Sequence, residues 1–282
     1  MRPYETGDEA VVLELVNADR LRGQPQTTSV MLAEALAGRS PVDSGWWAEL
    51  DVPRTDVLTS PTGQVVGVVS YAIRPGDGAG LILWLHCHER QTVAEALFAH
   101  ALGEFGPRTV YAFEFASALS LGLEGLPVGS RRATREALEV AGFSGRDLWR
   151  YIHRQLDTPG APHPRPIAEV ALSTDPVGWH LIVRETDGTV LGEATIGQPV
   201  DGVGVLWWIS IAPAARRRGL GRALLDQCFT HLAANRAREV IAYVDDDAPP
   251  GDPERDRAAA NLLYDRAGFV EIDRLHSFLR HP

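Results

Sequence analysis

The sequence predicts an α/β chain of two tandem domains, each a mixed, mostly antiparallel central sheet flanked by helices. Three observations carry this. Strand-like alternation and helix-like 3.6-residue stripes follow one another in the same order twice. Three short residue patterns recur in that order, each in an equivalent element. Residues 157–166 hold four prolines and a glycine, the composition of an extended linker. The expected division is a first domain over 1–156, a linker over 157–166 and a second domain over 167–282. A chain of 282 residues is long enough for two domains that each bury a core.

The first copy opens with a helix over 8–21, where Val11, Val12, Leu15 and Val16 form a stripe. A hairpin follows over 56–60 and 64–73, turned at Pro61-Thr62-Gly63. Residues 80–86 read as a buried strand and 92–104 as an amphipathic helix, with Val93, Leu97 and Leu102 on its apolar side. A strand over 110–115, a helix over 130–141 ended by Gly142 and a strand over 148–153 complete the copy. The second copy repeats this with a hairpin over 179–185 and 190–197, a strand over 204–211 and a helix over 219–235. A strand over 239–245, a helix over 257–267 ended by Gly268 and two closing strands, 269–273 and 276–279, follow. Leu83-Trp84-Leu85 recurs as Leu206-Trp207-Trp208, and Val110-Tyr111-Ala112-Phe113 as Val240-Ile241-Ala242-Tyr243. Ala141-Gly142-Phe143 recurs as Ala267-Gly268-Phe269. The offset drifts, as in a duplicated domain that has gained and lost loop residues.

Composition excludes several functions. The net charge of −10 opposes a phosphate-backbone footprint, so no nucleic-acid partner is expected. All 27 basic residues are Arg, which removes the Lys that a phosphate-binding P-loop requires and suggests a GC-rich bacterial genome. No run approaches the ~20 apolar residues of a membrane span, and the first residues lack an apolar signal core. Cys87 and Cys228 show no metal or redox spacing, which fits a reducing cytoplasm. His86 and His88 share a strand face and could begin a metal site. No third ligand with recognisable spacing follows, so the expectation is no metal, with these residues at a strand end lining a cleft.

The chemistry concentrates where the strand over 204–211 meets the helix over 219–235. The chain there reads Ile209-Ser210-Ile211-Ala212-Pro213-Ala214-Ala215-Arg216-Arg217-Arg218-Gly219-Leu220-Gly221-Arg222. First-turn N–H groups of a helix have no backbone partners and, with the helix dipole, attract anions. Gly219 and Gly221 lack Cβ, so a diphosphate can approach the backbone. Four arginines crowd the loop and can neutralise phosphates by charge-assisted hydrogen bonds. A dinucleotide fingerprint fits badly, because Leu224 stands where it needs a third glycine.

This pattern resembles the GNAT superfamily of N-acyltransferases, whose signature places Arg216, Gly219 and Gly221 in register. A second stretch resembling the family is Ala260-Asn261-Leu262-Leu263-Tyr264-Asp265-Arg266-Ala267-Gly268-Phe269. The resemblance covers roughly residues 179–282 and implies acetyl-CoA as cosubstrate. By it, the backbone of Ile209, Ser210 and Ile211 pairs with the pantetheine amides like an extra strand. Arg217, Arg218, Leu220 and Arg222, with the two glycines, wrap the pyrophosphate. Asn261 hydrogen-bonds the pantetheine region, and Tyr264 protonates the departing thiolate. The implied reaction is direct attack of an amine on the thioester, and the expected acceptor is a small-molecule primary amine. Two other readings stand beside it: a protein N-terminal acetyltransferase and a non-catalytic acyl-CoA-binding module.

The sequence also departs from the family pattern. The central strand carries no carboxylate, which leaves Glu193 and His276 as substitute bases. Asp245-Asp246-Asp247, with Asp252 and Glu254, would form an acidic lip that attracts a cationic amine. The first copy lacks the glycine loop, and Arg135 and Leu138 stand where the second has Asn261 and Tyr264. It is expected to be a silent domain that braces the active half or builds part of its acceptor pocket. Only 167–172 precede the second hairpin, enough for one strand, so the helical roof usual in the family is missing there.

Overall fold

The computed structural model describes residues 1–156, 167–245 and 258–282. The linker and the acidic residues Asp246, Asp247, Asp252 and Glu254 lie outside the described residues. In chain order the first elements are β1 (Arg2–Pro3), α1 (Glu9–Ala18), α2 (Ser29–Leu36), α3 (Ser44–Trp47), β2 (Arg54–Thr59), β3 (Val65–Arg74) and β4 (Ala79–His86). Next come α4 (Gln91–Phe105), β5 (Val110–Ala112), β6 (Leu126–Pro127), α5 (Arg132–Val140) and β7 (Ser144–Gln155). The remainder is β8 (Glu169–Thr174), β9 (Val177–Arg184), β10 (Val190–Gly197), β11 (Val203–Ile211), α6 (Leu220–Ala234), β12 (Glu239–Asp245), α7 (Ala258–Arg266) and β13 (Val270–Arg280). No helix among the described residues is long and apolar enough to cross a membrane.

Two compact units result, and their boundaries differ from the expected ones. The first comprises Met1–Trp149 and Asp273–Pro282, the second Arg150–Ile272. The closing strand of each copy is therefore divided. Ile152, late in β7, is buried in the core of the second unit, while Phe278, late in β13, is buried in the core of the first. Proline-rich composition does not say which core receives the strands on either side of it.

In the first unit the strands run β1-β2-β3-β4-β5-β13, with β4–β5 parallel and the other described pairings antiparallel. Both faces of this sheet are covered. Val68, Leu81 and Leu83 pack with Val12, Leu15, Leu32 and Trp47 from α1–α3. Their strand neighbours Val69, Ile82 and Leu85 pack with Leu97, Phe98, Ala137 and Leu138 from α4 and α5. Alternation separates Val68 from Val69 and Leu81 from Ile82, and a bulge in β4 between Ile82 and Trp84 shifts the phase so that Leu83 and Leu85 face opposite ways.

Two helices were not legible. The run over 29–47 holds α2 and α3, each too short to show a repeated stripe. Their anchors are specific: Thr28 Oγ1 accepts from Met31 N at 3.3 Å, and Trp47 Nε1 donates to Ala116 O at 2.8 Å. The strand expected over 110–115 ends at Ala112, because Phe113 turns the chain at φ 58°. The two closing strands expected over 269–279 are one, β13. Asp273, where the first of them was expected to end, lies inside the strand, and its carboxylate accepts from Gly129 N at 2.8 Å and Ser130 N at 2.7 Å.

In the second unit β8, β9, β10 and β11 pair antiparallel in order, and β11 pairs parallel with β12. Leu181, Ala194, Ile196 and Val240 meet Leu224, Leu225, Cys228 and Leu232 of α6 in one core, which α7 joins through Tyr264. The opposite strand face carries His180, Ile182, Glu193, Thr195 and Ser210, all partly exposed, and Trp208, which is 55% exposed. As expected from its short lead-in, β8 is the one element between residue 167 and β9.

Candidate functional site

The site begins with a break in pairing. β11 pairs with β12 from Val203↔Glu239 to Leu206↔Ala242, and among the described residues the register stops there. A β-bulge explains the stop. Thr195 faces Trp208 and Ile196 faces Leu206, so Trp207 is the extra residue on β11. A bulge bends its strand and ends regular pairing. Trp207 stacks on Tyr243, the first β12 residue past the last pair, with centroids 6.4 Å apart, and Tyr151 lies 5.5 Å beyond. Gly197 makes room for the bulged ring, since a Cβ there would sit 2.7 Å from Trp207 Nε1. The strands part like a fork with aromatic rings at its base.

Beyond the fork β11 still pairs with β10. Ala212 N donates to Leu191 O at 2.9 Å, which fixes the alternation of the ladder. Ser210 therefore bonds toward β10, and Ile209 and Ile211 turn their N–H and C=O groups toward the open edge. Arg216 Nε takes the Ile211 carbonyl at 3.2 Å. The Ile209 groups are the backbone that the expected strand-like pairing with an amide-bearing arm requires.

Eight residues, 212–219, then join β11 to α6. Arg217 (φ 61°) and Gly219 (φ 80°) are left-handed, and Gly219 is the N-cap with no side-chain cap. The first intrahelical bond recorded at this end is Ala223 N to Gly219 O, so the N–H groups of Leu220, Gly221 and Arg222 face outward. Added at Gly221, a Cβ would lie 3.5 Å from both Ile211 Cγ1 and Leu263 Cδ2. The end of β11, the start of α6 and α7 thus converge on that glycine. Arg216, Arg217, Arg218 and Arg222 are all exposed. Arg218 lies 3.6 Å from Glu185, and Arg222 pairs with Asp226 at 2.9 Å and donates to Arg266 O at 3.0 Å.

On α7, Tyr264 is 8% exposed and meets Phe269 edge-on at 5.6 Å. Asn261 Oδ1 accepts from Arg150 Nη1 at 2.9 Å. Arg150 also holds Asp265 at 2.8 Å and Glu271 at 2.6 Å, so it orients α7. Sequence reading missed it because its partners lie 111 and more residues away. Glu193 stands opposite Ser210 on the bare face, with His180 Nε2 at 3.3 Å. His180 was also missed; its signal is its position opposite Thr195, one strand from Glu193. His276 belongs to the first unit, where it pairs with Leu126 and lies 3.7 Å from Asp147. The structure gathers the loop, Asn261, Tyr264 and Glu193 in one unit and leaves His276 in the other. Cys228 is buried and its thiol is pushed up to about 12 by that burial, which removes it as a nucleophile.

The first unit repeats the fork and closes it. Its β3–β4 register makes Leu83 the bulged residue, and β4–β5 pairing ends at Ile82↔Ala112. The register sets Ile82-Leu83-Trp84 against Leu206-Trp207-Trp208, one residue from the match read in the sequence. Leu85 is then the counterpart of Ile209, and its carbonyl accepts from Arg131 Nη2 at 2.9 Å. Arg131 is 4% exposed and also bonds Thr134 and Glu89. Four residues, 87–90, replace the eight of the loop. Among them Glu89 accepts from Ala133 N at 2.9 Å and Thr134 N at 3.2 Å, which places a carboxylate at the start of α5. His86 binds Asp19 at 2.8 Å and Cys87 is buried, and no group of three potential metal ligands occurs among the described residues.

This fork, glycine loop and helix define an acetyltransferase fold. Residues 178–271 match the family model of the acetyltransferase (GNAT) domain. Curated relatives include the mycothiol acetyltransferases of Tsukamurella paurometabola, 32% identical over 108 residues, and Beutenbergia cavernae, 31% identical over 98. The matches cover 36% and 35% of this chain and 34% and 30% of those proteins, so about a third of each relative is spanned. Among solved structures, a tandem GNAT protein from the clavulanic acid biosynthesis pathway aligns with TM-score 0.60 and 17% identity. That alignment covers 99% of this chain and 97% of the other. A GCN5-related N-acetyltransferase from Sphaerobacter thermophilus aligns with TM-score 0.59 and 17% identity, over 100% and 95%. The GNAT likeness of fold thus extends along both copies.

Proposed function

We propose that the chain transfers an acetyl group from acetyl-CoA to a primary amine of a small molecule, by direct attack on the thioester. The observation that carries this is the open β11 edge leading into an uncapped, arginine-rich helix start. The fork takes the pantetheine arm along Ile209, and the Leu220–Arg222 N–H groups with Arg217 and Arg218 take the pyrophosphate. Tyr264 lies on the α6 face of the sheet and Glu193 on the opposite face. An acyl group threaded through the fork meets the thiolate's proton donor on one side and the amine on the other. In this reading Glu193, with His180 beside it, takes the amine proton. An α-amine of ordinary pKa near 7.7–8.0 needs little such help, a Lys-like amine near 10.4 more. The relatives' name, mycothiol acetyltransferase, supports a small-molecule acceptor. The absence of a nucleophilic elbow and the inert Cys228 support a route without a covalent intermediate.

The test is a CoA-thiol release screen across amino sugars, aminoglycosides, amino acids and polyamines. The proposal expects turnover with at least one class. Tight acetyl-CoA binding with no release from any amine would replace it with a binding module. Release only with peptide N-termini would replace the small-molecule acceptor.

A further inference from the structure

The closed fork of the first unit leaves a space beside it. A cavity of about 80 Å3 is walled by β4, the segment following α1 and the stretch from Phe113 to Pro127. One water needs roughly 10–15 Å3, so the space suits a small organic molecule. Leu21, Phe115, Leu119 and Leu126 give it apolar walls. Trp84 and His86 alternate onto the same face of β4, both line the cavity, and their rings lie 6.2 Å apart.

These two side chains carry unequal debts. Trp84 is 3% exposed and its Nε1 has no hydrogen-bond partner. A buried indole N–H normally finds one, as Trp47 does on Ala116 O at 2.8 Å. His86 is committed at Nδ1, 2.8 Å from Asp19 Oδ2. Burial pushes Asp19 up, but the His86 hydrogen bond and the Arg131 charge outweigh it and keep the carboxyl ionised. An ionised carboxylate only accepts, so Nδ1 carries the hydrogen. Burial also holds His86 below its ordinary value and hence neutral, which leaves Nε2 as an acceptor. The buried charge at the wall is compensated, since Arg131 is paired with Asp19 at 3.3 Å and with Glu89.

We propose that this cavity binds a small neutral molecule whose head group both accepts and donates a hydrogen bond, a primary amide or hydroxyl, held by Trp84 and His86. The proposal stands apart from the acetyl-transfer reading, because none of its residues belongs to the second unit. Benzamide is the probe, titrated into the full chain labelled with 15N at its indoles. The expected result is a saturable shift of one indole N–H signal, the one missing from Trp84→Phe. Calorimetry should show Trp84→Phe weakening benzamide at least fivefold, with benzoate and benzylammonium at least tenfold weaker on the unmodified chain. Unmoved indole signals, an unchanged affinity in Trp84→Phe, or equal binding of the charged analogues would overturn it. If Trp84→Phe does not fold, transfer of magnetisation from benzamide ring protons to the Leu119 and Leu126 methyls decides: present, it supports the site; absent, it removes it.

Discussion

At the same point of the same fold, the two units do opposite things with one carbonyl. Leu85 O in the first is taken by a buried Arg131, whereas Ile209 in the second faces an open edge. Both strands carry a bulge one residue past the last parallel pair, so both forks are built by the same device. Building the fork and leaving it usable are therefore separable. Both connections lead into a helix start without a side-chain cap, and the four extra residues of the second add the left-handed Arg217 and Gly219 and the cluster of exposed arginines. In the shorter connection Glu89 instead turns its carboxylate to the start of α5 and to the buried Arg131.

The helix exits give the sharpest functional contrast, because there both units kept the geometry and the Ala-Gly-Phe ending and changed the buried side chain that packs beneath it. Phe143 N bonds Leu138 O, and Phe269 N bonds Tyr264 O, at 3.0 and 3.1 Å. Tyr264 thus occupies a position that the first unit fills with a fully buried Leu138. If Tyr264 is the thiolate's proton donor, Tyr264→Phe keeps the edge-on packing against Phe269 and should lower kcat by about 10²-fold. Acetyl-CoA affinity should stay within about twofold. An unchanged kcat would make Tyr264 a core residue like its counterpart. Next in size is the loop charge. Arg217→Ala should raise the acetyl-CoA Kd by about tenfold at low salt and less at high salt, read by calorimetry. No salt dependence would place the pyrophosphate elsewhere.

Smaller effects test what the units share. Gly142 and Gly268 have φ of 85° and 86°, and neither has space problems for a Cβ. Alanine at either should cost about 1 kcal/mol through backbone strain alone, with matching losses in denaturant melts. A large inequality would mean the exits are not equivalent. The smallest concerns a group in the unit without the open fork. Glu124 is pushed up to about 7 by burial and by the neighbouring Asp43. The unfolded carboxyl titrates near 4.5, so the folded state holds the extra proton between these values. Stability is then greatest below that window and falls as pH rises through it. Glu124→Gln should leave turnover unchanged and raise Tm by about 2–4 °C at pH 8, with little change at pH 4. A Tm gain that is equal at both pH values would contradict the burial.

Much of this was legible in the residues. Arg216, Gly219, Gly221, Asn261 and Tyr264 are local patterns, and the structure draws the loop and α7 together at Gly221. The repeat was legible too, although the Leu-Trp match was set one residue off, because a bulge shows only in the register between strands. The divided closing strands were hidden for a related reason: Ile152 and Phe278 read as ordinary strand residues, and sequence does not say which core receives them. Arg131 escaped notice because its partners, Leu85, Asp19 and Glu89, come from separate elements.

The central claim is that one fork is open and the other shut. Calorimetric titration of acetyl-CoA into the full chain tests it, alongside a variant whose residues 212–219 are replaced by Cys-His-Glu-Arg, the connection at 87–90. The account predicts one acetyl-CoA per chain and at least 100-fold weaker binding in the variant, with the variant's far-UV circular dichroism unchanged. Two sites per chain, or undiminished binding after the replacement, would contradict it.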